Sequence, residues 1–454
     1  MINPQFGIAL YTRIFSAIAV LASLAACGDT ATLQSSEDTG ANPTLPQPVK
    51  RLIPTVNIAP AKGWPQGAMP TAMAGLTVMP FATGLEHPRW VYVLPNGDVL
   101  VAESNAPPKP DSEKSIKGTV MNMVMSRAGA KAPSANRITL LRDRDGDGKA
   151  EVRTVFLENL MSPFGMALIG NDFYVANADS VVKFPYQPDA TSITAAPVKV
   201  VDLPGGPINH HWTKNLIASP DGNKLYVTVG SNSNVGERGM VAEEGRAAIW
   251  EVDTKTGAHR IFASGLRNPN GMGWSPEGGA LWTVVNERDE IGSDLVPDYL
   301  TSVKDGAFYG WPYAYLSRDR LDPRLTQNGQ SLRPDLVAKT RTPDVLFEAH
   351  SAALGLRFYN GNTFPQKYRN GAFVAFRGSW NRSQGTGYKI VFVPFSPTGR
   401  SPGYYEDFLT GFLLDPSGPT TWGRPVGLLT LPDGSLLVTE EANNRIYRVQ
   451  YTGG

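Results

Sequence analysis

The chain has 454 residues, 41 % hydrophobic and 18 % charged, a balance that fits a folded globular body and excludes a wholly disordered or fibrous chain. Forty-two basic residues stand against 41 acidic ones, a net charge of +1, so bulk electrostatics gives no sign of nucleic-acid binding. A single cysteine excludes a disulfide framework.

At the N-terminus, Arg13 precedes an apolar stretch from Ile14 to Ala26 that is short for a membrane span. It ends in Leu24-Ala25-Ala26-Cys27, which resembles the bacterial lipoprotein signal, in which the cysteine is lipidated and becomes the mature N-terminus. An ordinary signal peptide with a chance cysteine is the alternative. The division expected is a signal peptide over 1–26, a flexible linker rich in Ser, Thr, Pro and Asn over 27–60, and a body over 61–454. The expected location is the periplasm of a Gram-negative bacterium, with a lipid anchor on Cys27.

Beyond residue 60 one phrase recurs: a polar or charged residue, a short apolar run, a Pro-Asp-Gly-type turn and a second apolar run. Clear copies span Pro88 to Asn105, His211 to Asn232, Arg267 to Asp289 and Arg424 to Asn444; weaker ones span Ser162 to Ser180 and His350 to Arg382. Runs that alternate with period two and end in Gly, Pro, Asn or Asp read as strands. Six copies predict an all-β protein, a six-bladed β-propeller of four-stranded antiparallel blades. A sandwich pair or a β-helix fits less well, since neither accounts for six copies with one polar position in register. The run Leu76 to Phe81 is expected to close the ring against the last blade. Two insertions, Ala106 to Asn136 and Pro312 to Ala349, are expected to roof one face.

Five copies place a cation or imidazole at the same point: Arg89, His211, Arg267, His350 and Arg424. The copy at Phe164 carries none. A ring brings these positions together, and like charges gathered there demand an anionic partner, read here as a ligand with carboxylates that suit guanidinium forks. Trp212, Trp274 and Trp380 offer faces on which a flat ligand could stack, although tryptophan in a blade is more often core.

Three segments, His211 to Ile217, Gly265 to Gly271 and Asp305 to Pro312, resemble the soluble quinoprotein sugar dehydrogenases. The phrases His210-His211-Trp212-Thr213, Gly378-Ser379-Trp380-Asn381-Arg382 and Gly423-Arg424-Pro425-Val426-Gly427 place the resemblance nearest the L-sorbosone and pyranose dehydrogenase branch. The resemblance implies a propeller that binds pyrroloquinoline quinone (PQQ) and Ca²⁺ and oxidises an aldose or sugar aldehyde. It implies His211 as general base, Arg267 and Asn268 on the quinone oxygens, and Arg89, His350, Trp380, Arg382 and Arg424 as further cofactor contacts. It places Ca²⁺ on the backbone carbonyls of Glu287 and Arg288. Separately, Asp143, Asp145 and Asp147 alternate ahead of Gly148 as a calcium loop begins, but Thr154 stands where its last acidic ligand belongs. No haem-attachment motif is present, so electrons are expected to leave to a separate quinone or cytochrome. A calcium-dependent lactonase and a non-catalytic binding propeller are the alternatives.

Overall fold

The computed structural model describes residues 29–34, 37–40, 43–49, 55–108, 132–401 and 403–453. Cys27 and most of the first insertion lie outside them. The six copies become six antiparallel sheets in chain order. Blade I runs Pro88–Val93, Val99–Glu103, Arg137–Arg142 and Val152–Leu157. Blade II runs Met166–Ile169, Asp172–Ala176, Ser180–Pro185 and Val198–Asp202. Blade III runs Leu216–Ala218, Lys224–Val229, Ala248–Asp253 and His259–Ser264. Blade IV runs Asn268–Trp274, Leu281–Asn286, Pro297–Ser302 and Val345–Ala349. Blade V runs Ala353–Phe358, Gly371–Phe376, Lys389–Pro394 and Glu406–Thr410, with Thr71–Ala72 added as a short fifth strand.

Blade VI joins the two ends of the chain. Its first three strands are Pro425–Thr430, Leu436–Glu440 and Arg445–Tyr451, and its outer strand is Leu76–Ala82, paired from Leu76↔Tyr451 to Ala82↔Ile446. The predicted closing strand is therefore in place, and it covers an edge that would otherwise be open to aggregation.

The core lies between blades. Separate apolar clusters fill the junctions I/II, II/III, III/IV, IV/V, V/VI and VI/I. A blade buried on both faces needs apolar residues on both, so the second strands Val99–Glu103, Gly371–Phe376 and Leu436–Glu440 are buried throughout, without the simple alternation expected. Near the axis the first strands abut. A Cβ on Gly271 would come within 2.5 Å of Leu356 N, and one on Gly427 within 2.6 Å of the Arg89 carbonyl. Only glycine permits that approach.

First strands run away from the face that carries Arg89, His211, Arg267, His350 and Arg424. We call this the upper face. The chain leaves blade IV below after Ser302, lies along the last strand of blade III through Ser264↔Phe308, and enters the second insertion. That insertion reaches the upper face where Asp322 pairs with Arg288 and ends not in a roof but in the blade IV strand Val345–Ala349.

The segment expected to be a free tether is bound instead. Asp38 and Ala59 are fully buried, Ser293 N donates to Asp29 Oδ2 at 2.8 Å, and Asn57 N donates to the Trp380 carbonyl at 2.8 Å. The polar side chains that suggest a linker are here hydrogen-bonding groups. Among the described residues no helix is long and apolar enough to cross a membrane.

Candidate functional site

His211 enters from the loop before blade III. Its Nδ1 lies 2.9 Å from the Ser231 carbonyl and 3.0 Å from Ser231 Oγ, and that hydroxyl donates to the Ser233 carbonyl at 2.6 Å. A carbonyl only accepts, so Nδ1 carries the ring proton and Nε2 keeps its lone pair. Burial, and then Arg267 and His210, push the pKa of His211 well below its usual value. By that desolvation the ring is neutral at pH 7, and a weaker base than free imidazole. His210 sits edge-on to it, ring centroids 4.6 Å apart.

No motif or register position singles out Lys214 in the sequence. It is fully buried and donates to Asn209 Oδ1 at 3.3 Å and to the carbonyls of His211 and Trp212 at 3.2 and 3.3 Å. It thereby stitches together the loop that carries the base.

Asn268 faces His211 across Gly230, where an added Cβ would meet Asn268 Oδ1 and His211 Cβ at 2.5 Å each. Its Nδ2 donates to Asn286 Oδ1 at 3.3 Å, while its Oδ1 is buried with no partner. Arg267 is more committed. Nε donates to the Asn234 carbonyl at 3.1 Å and Nη1 to the Glu287 carbonyl at 2.5 Å; Nη2 donates to Asn234 Oδ1 at 3.0 Å and Asp289 Oδ2 at 2.6 Å.

The demand for an external anion is largely met by the protein itself, which corrects the sequence argument. Arg89 and Arg377 converge on the buried carboxylate of Glu441. Arg267 and His350 share Asp289, and Arg382 binds Asp294 Oδ1 at 2.9 Å and the Ser293 carbonyl at 3.2 Å. His350 has acceptors at both nitrogens, Asp289 Oδ1 at 3.2 Å and the Gly292 carbonyl at 3.0 Å. Burial opposes its charged form, but those two acceptors outweigh it and raise its pKa. Its ring nitrogens are thus taken by the protein rather than offered to a cofactor. The acids were missed because they follow the second strands, at the far end of each copy from the cations or, for Asp294, beyond it.

Spare donor capacity remains at two positions. Arg424 is fully buried, gives Nη2 to the Ala59 carbonyl at 2.5 Å, lies 5.3 Å from the Tyr388 ring centroid, and leaves Nε without a partner. Arg89 also leaves Nε without one, and its guanidinium lies 5.6 Å from the Trp212 ring centroid. Buried donors left unmade are costly, so these two guanidiniums suit an anionic ligand, while Asn268 Oδ1 and His211 Nε2, both acceptors, suit a hydroxyl or N–H donor beside it.

Other expectations shift. Trp380 is partly buried and its carbonyl receives the Asn57 amide. Trp274 ends its strand, about 20 Å from Arg267 at strand spacing, where its indole donates to the Ala218 carbonyl at 2.8 Å; it is out of reach of a ligand on the upper face. The copy without a donor is filled by Phe164, whose ring is tilted 31° to that of Trp90 with centroids 5.0 Å apart.

The calcium positions divide. The Glu287 carbonyl holds the Arg267 guanidinium, and the Arg288 carbonyl accepts from Val296 N at 3.4 Å. A cation already sits on the first, and burial pushes the Glu287 carboxyl up to about 8. These carbonyls do not fit Ca²⁺ as they stand. Asp143, Asp145 and Asp147 lie on the lower turn of blade I, and Glu151 joins them, ligand oxygens within 4.8 Å of one another. Glu151 supplies an acid nearer than the position where Thr154 stands. A polar cavity of about 370 Å³ lies beside the site, lined by Asn234, Glu237, Arg288 and Arg324 among others.

The chain matches the TrAA12-like family over residues 134–320 and 321–452 and belongs to it. A Borreliella burgdorferi protein of unassigned activity is 30 % identical over 305 residues, 65 % of this chain and 77 % of that one. A pyrroloquinoline quinone-dependent pyranose dehydrogenase of Coprinopsis cinerea is 25 % identical over 302 residues, 54 % of this chain but only 40 % of the fungal protein. A pyrroloquinoline quinone-dependent sugar dehydrogenase of Hypocrea jecorina is 22 % identical over 62 % of this chain and 72 % of its own length. In fold, a Trichoderma reesei structure of carbohydrate-active enzyme family AA12 superposes with a TM-score of 0.68 at 21 % identity, covering 88 % of this chain and 99 % of that one.

Proposed function

We propose that this chain is a PQQ-dependent sugar dehydrogenase that oxidises an aldose or sugar aldehyde of the pyranose or sorbosone type. The observation that carries the reading is His211: a neutral imidazole of fixed tautomer, beside Asn268, on a face where Arg89 and Arg424 keep unpaired buried donors. The names of the fungal relatives supply the cofactor class. Bound PQQ would supply a quinone that accepts two electrons as hydride. Arg89 and Arg424 would hold its carboxylates, and Asn268 would orient it. His211 Nε2 takes the proton of the substrate hydroxyl, which leaves that oxygen free to form the new carbonyl as the C–H bond breaks. The electrons would leave to a separate carrier, a quinone or a cytochrome.

A lactonase would need channel carboxylates free to hold a metal. Glu441, Asp289 and Asp294 are each tied to cations, which counts against it. Calcium is assigned here to the lower turn at Asp143, Asp145, Asp147 and Glu151 as a structural ion. Asp145→Ala should abolish any rise in melting temperature that Ca²⁺ gives the unaltered protein. Lipidation of Cys27 would place the anchor two residues before Asp29, which is bonded to Ser293 on the upper face, so this face would look toward the membrane. The test of function is reconstitution with PQQ and Ca²⁺, followed by dye reduction with a panel of aldoses and aldehydes. Turnover of at least one sugar is expected; no turnover of any would refute the reading.

A further inference from the structure

Residues 29–34, 37–40, 43–49 and 55–62 form a strap across the upper-face loops of blades IV, V and VI. Thr32 N donates to Asp294 Oδ2 at 2.7 Å, and Ala31 N to Ser383 Oγ at 2.6 Å. Asn57 Nδ2 donates to the Ser383 carbonyl at 2.7 Å. Past Ala59 the chain pairs with Thr421: Lys62 N donates to the Thr421 carbonyl at 2.8 Å and Thr421 N to the Pro60 carbonyl at 3.1 Å.

Two of these contacts reach cations of the candidate site. Asp294 takes the strap on Oδ2 and Arg382 on Oδ1. Ala59 gives its carbonyl to Arg424, which makes no ion pair within 4 Å among the described residues and feels the Glu441 carboxylate only from farther off. A buried guanidinium with no carboxylate in direct contact is oriented by the acceptors it does touch, so the strap helps to fix where its remaining donors lie.

We propose that the strap is a fixed wall of the site, with Ala59 as a positioning residue for Arg424 and Asn57 as the clamp that holds Ala59 in place. The assignment of Arg424 to the cofactor rests on the quinoprotein reading; the attachment of the strap does not. A wall rather than a lid follows from bonding spread over three blades, a buried Ala59, and direct continuation into Thr71–Ala72 and the closing strand Leu76–Ala82.

Asn57→Asp sets a carboxylate against the Ser383 carbonyl and should loosen the strap beside Ala59. PQQ affinity, read by quenching of tryptophan fluorescence without turnover, should fall about tenfold, the loss of roughly one charge-assisted hydrogen bond, while the melting temperature of the ring changes little. Unchanged affinity would overturn the proposal. The pair Ala31→Cys and Ser383→Cys, in a Cys27→Ser background, locks the strap on oxidation. Equal affinity and equal KM in the oxidised and reduced forms are expected; turnover lost on oxidation and regained on reduction would mean a lid. Failure of the unaltered protein to bind PQQ would instead strike the quinoprotein reading. Limited proteolysis then still decides the matter: a wall is cut no faster than the ring, a loose strap much faster.

Discussion

Replacing Glu441 with glutamine should destabilise the ring by about 3 kcal/mol. The side chain is buried, bonded to Arg89 Nη1 and to Arg377 Nε at 2.6 Å, and lies 3.7 Å from His87 Nε2. Glutamine keeps the shape but removes the charge and turns an amide donor toward guanidinium donors. Removing one partner of a buried pair costs roughly 3–5 kcal/mol. The lower figure applies because the Arg377 side chain is 23 % exposed and can rehydrate, whereas that of Arg89, at 8 %, cannot. Burial alone would raise the Glu441 carboxyl, but Arg377 and Arg89 hold it well below the usual carboxylate range. A depressed folded pKa gives stability that is present above the unfolded value near ~4.3 and is lost as pH falls through the folded one. Urea denaturation of the two proteins should therefore show a constant gap from pH 6 to 8 that narrows only in acid. A gap below about 1 kcal/mol, or one that grows as pH falls, would refute the reasoning.

Gly271→Ala forces a Cβ within 2.6 Å of the Leu354 carbonyl and should cost several kcal/mol; a melting temperature equal to that of the unaltered chain would show that the first strands do not abut as described. His211→Ala should lower kcat by about 10²–10⁴ while PQQ affinity stays within a few-fold, measured by turnover and by fluorescence titration. Because the pKa of His211 lies well below 6.5, the acid limb of the kcat profile should also fall below that of free imidazole. Cys27→Ser should move the protein from the membrane fraction to the soluble one after cell fractionation, and unchanged partitioning would count against lipidation.

The ring was legible because each blade repeats the same local chemistry, two apolar strands around a turn, and because Leu76 to Phe81 had no other partner in its vicinity. The cations were legible by register. Their counter-ions were not, since they follow the second strands, where no register was sought: Asp289 lies 22 residues from Arg267 in the same blade, whereas Asp294 lies 88 residues from Arg382 and Glu441 352 from Arg89, and those two pairs meet only across blades. Trp274 was misplaced because a strand of seven residues carries its last side chain to the opposite face. The strap was read as a linker from composition, yet Ala31 and Thr32 find their acceptors 352 and 262 residues away, a distance no local pattern reports.

The central claim is tested most directly by titrating cofactor-free protein with PQQ while following dye reduction in the presence of a pyranose. Turnover should rise linearly and saturate at about one PQQ per chain, with tryptophan quenching that saturates at the same point. Quenching and turnover that never saturate, or neither at any PQQ concentration, would contradict the assignment.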